Sequence, residues 1–140
     1  MTFHTIKLLL LFFSANTLLQ AQSQRVLHQT FEVNGIEEIH LDLYGEVELI
    51  PWAGAQIMSE TQVRLEGAPP HVLKFFIEEK ERYKIEGILG PDYFVLQSVD
   101  KIRPQIIYKS NECYEEVKIR LFIPEEFEIS EDGKVLRRKL

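Results

Sequence analysis

Three side chains that could bind a metal ion alternate along one predicted strand: Glu38, His40 and Asp42. In an extended strand, residues two apart lie on the same face and are separated by about 6.5 to 7 Å. Histidine and carboxylate are ligands of divalent cations, but a zinc site needs three or four ligands that converge on one point. Because a single strand presents these groups in a line, the pattern favours a solvated polar face over a metal site.

A second acidic group lies near the carboxyl-terminal end and could bind calcium. Its members are Glu125, Glu126, Glu128, Glu131 and Asp132. Their spacing does not match a calcium-binding loop, which has a central glycine between its ligands. We therefore interpret the group as an acidic solvated surface and predict no cofactor.

Catalytic motifs are absent from the sequence after residue 21. The histidines there, His28, His40 and His71, belong to no metalloprotease motif, no serine lies in a nucleophile elbow, and the residues around Cys113 are unlike those of a catalytic cysteine. The sequence predicts a protein that is not an enzyme. A hydrolase, the less favoured alternative, would need two carboxylates, or a histidine and a carboxylate, that converge in a cleft.

Aromatic side chains are the candidate contact residues. Trp52 and Tyr44 are the two that we select for contact with a ligand or partner, because such side chains bury a large area and keep a polar group. The other aromatic residues that could join them in a stacking platform are Tyr93, Tyr108 and Tyr114. In the alternative interpretation Trp52 packs over one end of the core across its turn.

Residues 1–21 have the pattern of a signal peptide. Lys7 precedes the apolar run 8–13, and Ala21 ends a region of small residues, which predicts cleavage before Gln22. A membrane-spanning helix needs about twenty apolar residues, and Asn16 interrupts the run too early for that. We expect an exported protein, in the periplasm or at the cell surface, without a transmembrane segment in the mature chain.

Charge and cysteine content limit the possible partners. The chain has 16 Lys and Arg against 22 Asp and Glu, a formal net charge of −6, which disfavours nucleic acid as a partner. Cys113 is the only cysteine, so no disulfide forms within the chain. It is either a buried small hydrophobic residue or an exposed thiol that could link two copies of the chain.

Apolar residues alternate with polar ones along most of residues 22–130, which predicts a single, mainly β domain. We expect a β-solenoid-like or sandwich-like arrangement of antiparallel sheets, with a break at Gly45, a hairpin at Asn34 and Gly35, a strand over 102–108 and one short helix over 70–80. Residues 131–140 are predicted to form a flexible tail. An alternative to a filled core is an apolar pocket lined by Phe75, Phe76, Tyr93 and Phe94.

Residues 31–54 resemble the opening of auto-transporter adhesin head domains, called head GIN domains. The resemblance lies in the alternating segment 39–49 and in the turn Pro51-Trp52-Ala53-Gly54 that follows it. Residues 119–127 are similar to a strand, proline and short strand that recur in these domains. The resemblance implies an exported, β-rich, non-enzymatic protein of the Bacteroidota type. We therefore expect an adhesin-like module that acts by contact, and a periplasmic carrier of small ligands is the alternative.

Overall fold

The computed structural model describes residues 22–140, so the predicted signal peptide lies outside the described residues. The described chain forms strands β1 to β11 and helix α1. Their bounds are β1 Gln22–Phe31, β2 Glu38–Asp42, β3 Glu46–Trp52, β4 Ile57–Glu66, α1 Pro70–Glu78, β5 Ile85–Leu89, β6 Phe94–Ser98, β7 Ile107–Tyr108, β8 Asn111–Glu112, β9 Tyr114–Pro124, β10 Phe127–Ile129 and β11 Val135–Arg138. The mainly β fold and the single short helix confirm the prediction. No helix among residues 22–140 is long and apolar enough to cross a membrane.

Two sheets make up most of the molecule. The first sheet has the order β1-β4-β9-β3, the second has the order β10-β11-β2-β6-β5, and β7 and β8 form a separate hairpin. Each of the two large sheets contains one parallel pair, β3 with β9 and β2 with β6. The sheets are therefore mixed, whereas the sequence predicted antiparallel ones.

A common core joins the two sheets. Ile119, Leu121 and Ile123 of β9 pack in one buried cluster with Ile39 of β2 and Leu96 of β6. Because this cluster draws side chains from both sheets, the architecture is sandwich-like rather than solenoid-like. The inward-facing row of β4 continues beyond the second sheet, where α1 and the β7–β8 hairpin cover it in a second cluster.

The chain changes sheet at Gly45. This glycine has a φ of +103°, which residues other than glycine rarely adopt. It lies between β2 in the second sheet and β3 in the first. The predicted break at this position is confirmed. Helix α1 begins at Pro70 as predicted, since proline is tolerated in the first turn of a helix, and it ends at Glu78.

Three local predictions are wrong. The strand before Asn34 and Gly35 pairs with β4 rather than with the strand that follows, so these residues form a turn without a hairpin. Of the predicted strand over 102–108, only β7 (Ile107–Tyr108) is a strand, because the segment before it is an irregular loop. The predicted tail over 131–140 contains β11, which lies between β10 and β2 and buries Leu136.

Cys113 is buried in the second cluster, as one of its two predicted alternatives requires. A side chain at Gly67 would meet its sulfur at 3.6 Å, so the thiol packs closely against the chain. In this structure the thiol is not placed to link two copies of the chain.

Candidate functional site

The guanidinium of Arg103 is the most unusual polar group of the described chain. Only 6% of Arg103 is exposed, and its Nε, Nη1 and Nη2 atoms have no hydrogen-bond partner among the described residues. Buried charged groups are almost always paired or hydrogen-bonded, because removing them from water is costly. An unpaired, buried guanidinium of this kind marks a candidate functional site.

Arg103 lies in the loop between β6 and β7, and its backbone is strained. Its φ is +41°, in the left-handed region that is unfavourable for residues other than glycine. The carboxylate of Asp100 holds the loop, since Oδ1 accepts hydrogen bonds from the backbone N–H groups of Ile102 and Arg103, both at 3.0 Å. The bond from Arg103, and then that from Ile102, keep the pKa of Asp100 below its ordinary value.

Two tyrosine rings enclose the Arg103 guanidinium. Its Cζ lies 4.6 Å from the ring centroid of Tyr44 and 5.4 Å from that of Tyr83. These are cation–π contacts, which stabilise a desolvated cation without hydrogen bonds. Burial lowers the pKa of Arg103, although an arginine remains charged in proteins.

An ion pair between a buried arginine and a half-buried carboxylate belongs to the same cluster. Arg82 Nε and Nη2 donate to the two carboxylate oxygens of Glu115 at 2.9 and 3.0 Å, and Nη2 also donates to the carbonyl of Pro104 at 2.8 Å. The Tyr83 hydroxyl donates to Glu115 Oε2 at 2.5 Å. Burial, and then this hydrogen bond, raise the pKa of Tyr83 well above its ordinary value. We call Tyr44, Arg82, Tyr83, Arg103 and Glu115 the arginine cluster.

The arginine cluster borders an open cleft of about 460 Å³. Arg82, Asp100 and Gln105 line it together with the apolar side chains of Phe76 and Ile106. The cleft and the cluster share Arg82, so the arginine cluster lies directly beside the cleft.

Trp52 and Tyr44 do not form one platform. They lie near the opposite ends of β3, whose seven residues span about 20 Å. Trp52 is half-buried, its Nε1 donates to the carbonyl of Gln56 at 2.9 Å, and its ring packs edge-on against Phe122. Tyr44 is 43% exposed and belongs to the arginine cluster. A contact role for either residue stays a prediction.

The other three tyrosines of the predicted stacking platform each have a separate neighbour. Tyr93 stacks on His40 at 3.9 Å between ring centroids, Tyr108 packs edge-on against His71, and Tyr114 lies beneath Arg64. The predicted stacking platform is therefore dispersed over the molecule.

The row Glu38, His40 and Asp42 remains a set of separate contacts. His40 Nε2 lies 3.6 Å from Glu38 Oε1, while Asp42 pairs with Lys101. Within residues 22–140 no group of three or more His, Cys, Asp or Glu side chains is placed to hold a metal ion.

A second cleft lies at the crossover between β2 and β3 and has a volume of about 470 Å³. The aliphatic side chains of Leu41, Leu43, Val47 and Leu49 share its lining with Asp42, Asp132 and Lys134. Of the four predicted pocket residues, none lines this cleft, Phe76 lines the cleft beside the arginine cluster, and Phe94 is part of the core.

Sequence reasoning missed the arginine cluster apart from Tyr44. Arg82 and Tyr83 are adjacent, but Glu115 is more than thirty residues away and no motif connects them. The one local signal is Asp100, because aspartate often accepts hydrogen bonds from the backbone two or three residues later.

No family model matches this chain, and no curated protein or solved structure matches it either.

Proposed function

We propose that the chain is an exported, non-catalytic module that acts by contact with a partner in the cell envelope or at the cell surface, in the manner of an adhesin. The observation that carries this proposal is the outer edge of β1 in the first sheet, which pairs with no other strand of residues 22–140. The resemblance of residues 31–54 to head GIN domains favours the same class of protein.

β1 lacks the features that usually prevent a sheet edge from pairing with another chain. It is ten residues long, contains no proline, and Arg25 is its only charged residue apart from the titratable His28. Sheet edges are usually protected by charges, by proline or by shortness. An unprotected edge of this length is suited to pairing with an extended segment of a partner.

The other three sheet edges are protected. β3 carries Glu46, Glu48 and Pro51, and β10 is only three residues long. At β5 the side-chain amide of Gln29, near the end of β1, donates to the carbonyl of Ile85 at 2.8 Å and accepts from its N–H at 2.9 Å. This contact occupies the start of the β5 edge and also holds the end of β1 against it. β1 is therefore the edge most open to a partner strand.

A partner strand at β1 would meet a polar surface. The exposed side chains in alternate positions of β1 are those of Gln24, Val26, His28 and Thr30. Backbone pairing would supply affinity, and this row of short polar and aliphatic side chains would supply specificity. The same edge could pair with β1 of a second copy.

Crosslinking in the native host tests this edge. A photo-crosslinking amino acid at Val26 is expected to capture a partner, whereas the same amino acid at Ile88 in β5 is not. The two positions are matched, because Val26 is 48% and Ile88 is 45% exposed and both lie on edge strands. Equal capture at both positions, or capture at Ile88 alone, would contradict the assignment to β1.

Protease treatment of intact cells tests the location. We expect the protein outside the cytoplasm, and its degradation on intact cells would assign it to the surface. Protection until the outer layer is opened would assign it to the periplasm and contradict a surface adhesin. Recovery of the uncleaved chain from the cytosol alone would contradict export.

The cleft at the β2–β3 crossover supports a second candidate, a carrier of small ligands. Its volume of about 470 Å³ lies in the range of small-molecule sites, and its lining combines aliphatic side chains with Asp42, Asp132 and Lys134. A carrier does not need the β1 edge, so capture by crosslinking at Val26 favours the contact module over the carrier.

A further inference from the structure

We propose that Arg103 is the centre of a binding site for a single oxyanion group, a carboxylate or a phosphate, and that the Tyr44 ring covers this site. The inference does not depend on the β1 edge, because the arginine cluster is built from other elements.

Arg103 has donors that its surroundings do not use. A guanidinium carries five N–H donors, and none of its nitrogens has a hydrogen-bond partner among residues 22–140. Glu115 is already engaged by Arg82 and Tyr83, and Asp100 Oδ1 by two backbone N–H groups. The two nearby carboxylates therefore attract the Arg103 charge without satisfying its donors.

Two other arginines, the buried Arg82 and the half-buried Arg138, show what a purely structural arginine does in this fold. Arg82 donates to a carbonyl as well as to Glu115, and Arg138 donates to the carbonyls of Ile36 and Val33 at 3.0 and 2.9 Å. Arg103 has no such bond, and its backbone is left-handed as well. Unpaired buried groups and strained backbones occur together at binding sites, where the ligand makes the missing contacts.

The planar fork of a guanidinium suits one class of ligand. It forms two parallel hydrogen bonds with a carboxylate or a phosphate, and these charge-assisted bonds are stronger than neutral ones. Tyr83 on the other side of the guanidinium is 1% exposed and bonded to Glu115, so the approach is from the Tyr44 side.

Tyr44 can uncover Arg103 by a side-chain rotation. Its backbone is held, because its N–H donates to Ser98 Oγ at 2.8 Å, but nearly half of its surface is exposed. Turning the ring into solvent breaks its cation–π contact with Arg103 and the packing of its buried part. The apparent affinity for an anion is then reduced by the fraction of molecules in which the ring is closed.

Titrations with two simple anions test the site. Inorganic phosphate and acetate are added separately to the purified protein at constant ionic strength, while NMR follows the Nε–H signals of the arginines. We expect a saturable shift of Arg103, and the anion that gives the tighter binding identifies the preferred group. In Tyr44→Ala the same anion should bind about tenfold more tightly, because the covering contact is lost.

Arg137 is the internal control, since its side chain is 68% exposed and it senses only non-specific association. No saturable shift of Arg103, or a shift equal to that of Arg137, would overturn the site. Weaker binding by Tyr44→Ala would overturn the covering role of the ring. Arg103→Met should abolish the anion-dependent shift of the Tyr44 ring; if this variant does not fold, the comparison of Arg103 with Arg137 decides the question alone.

Discussion

Replacing Glu115 by alanine is expected to lower the free energy of unfolding by about 3 to 5 kcal/mol. The change would leave Arg82 buried without its ion-pair partner, remove the acceptor of the Tyr83 hydroxyl, and take away a carboxylate that offsets the charge of Arg103. Breaking a buried pair from one side is costly because the remaining charge keeps its desolvation penalty. Urea denaturation of the two proteins measures the difference.

Glu116→Ala is the matched control in the same strand. Glu116 also pairs with an arginine, Arg64, at 2.7 Å, but both side chains are about one third exposed. Exposed ion pairs contribute little to stability because water and salt screen them, so this variant should unfold close to the original protein. Similar losses in both variants would mean that the arginine cluster is no more important for stability than a surface pair.

Replacing Leu121 by alanine is expected to cost about 2 to 5 kcal/mol of unfolding free energy. Leu121 is fully buried in β9, directly opposite Ser59 of β4 and Leu49 of β3, and it packs in the core that joins the two sheets. The loss combines the removed apolar surface with the cavity that the shorter side chain leaves. Thermal and urea unfolding should both show the change.

Leu89→Ala makes the identical chemical change at an exposed position. Leu89 is 72% exposed at the end of β5, so this variant should unfold within about 0.5 kcal/mol of the original protein. A large loss at Leu89 with a small one at Leu121 would contradict the placement of the core between the two sheets.

Local patterns predicted much of the secondary structure. Strict alternation over 57–66 predicted β4, in which buried side chains alternate with half-buried ones. Proline at position 70 predicted the start of α1. The glycine at position 45 marked the change of sheet, because a residue without a side chain can adopt a φ of +103°. These features depend on neighbours in the sequence, which is why they could be predicted.

Pairing between distant segments could not be predicted. Asn34 and Gly35 are a common hairpin signal, yet β1 pairs with β4 in a ten-residue register that no local rule contains. The basic residues of the predicted tail become part of β11, where Arg138 bonds two carbonyls of the segment before β2. In both cases burial and long-range hydrogen bonds outweighed the local preference.

By itself the sequence determined a mainly β chain with one helix and the positions of several strand ends, because alternation, proline and glycine act locally. It also offered burial as one of two alternatives for Cys113, and the thiol is buried. Only the tertiary structure decided that the sheets form a sandwich, that β1 is an outer strand of its sheet, and that Tyr44 contacts Arg103 rather than Trp52. The physical reason is that the arginine cluster joins residues from four separate segments. Its burial, its ion pair and its unused donors exist only when those segments are packed together.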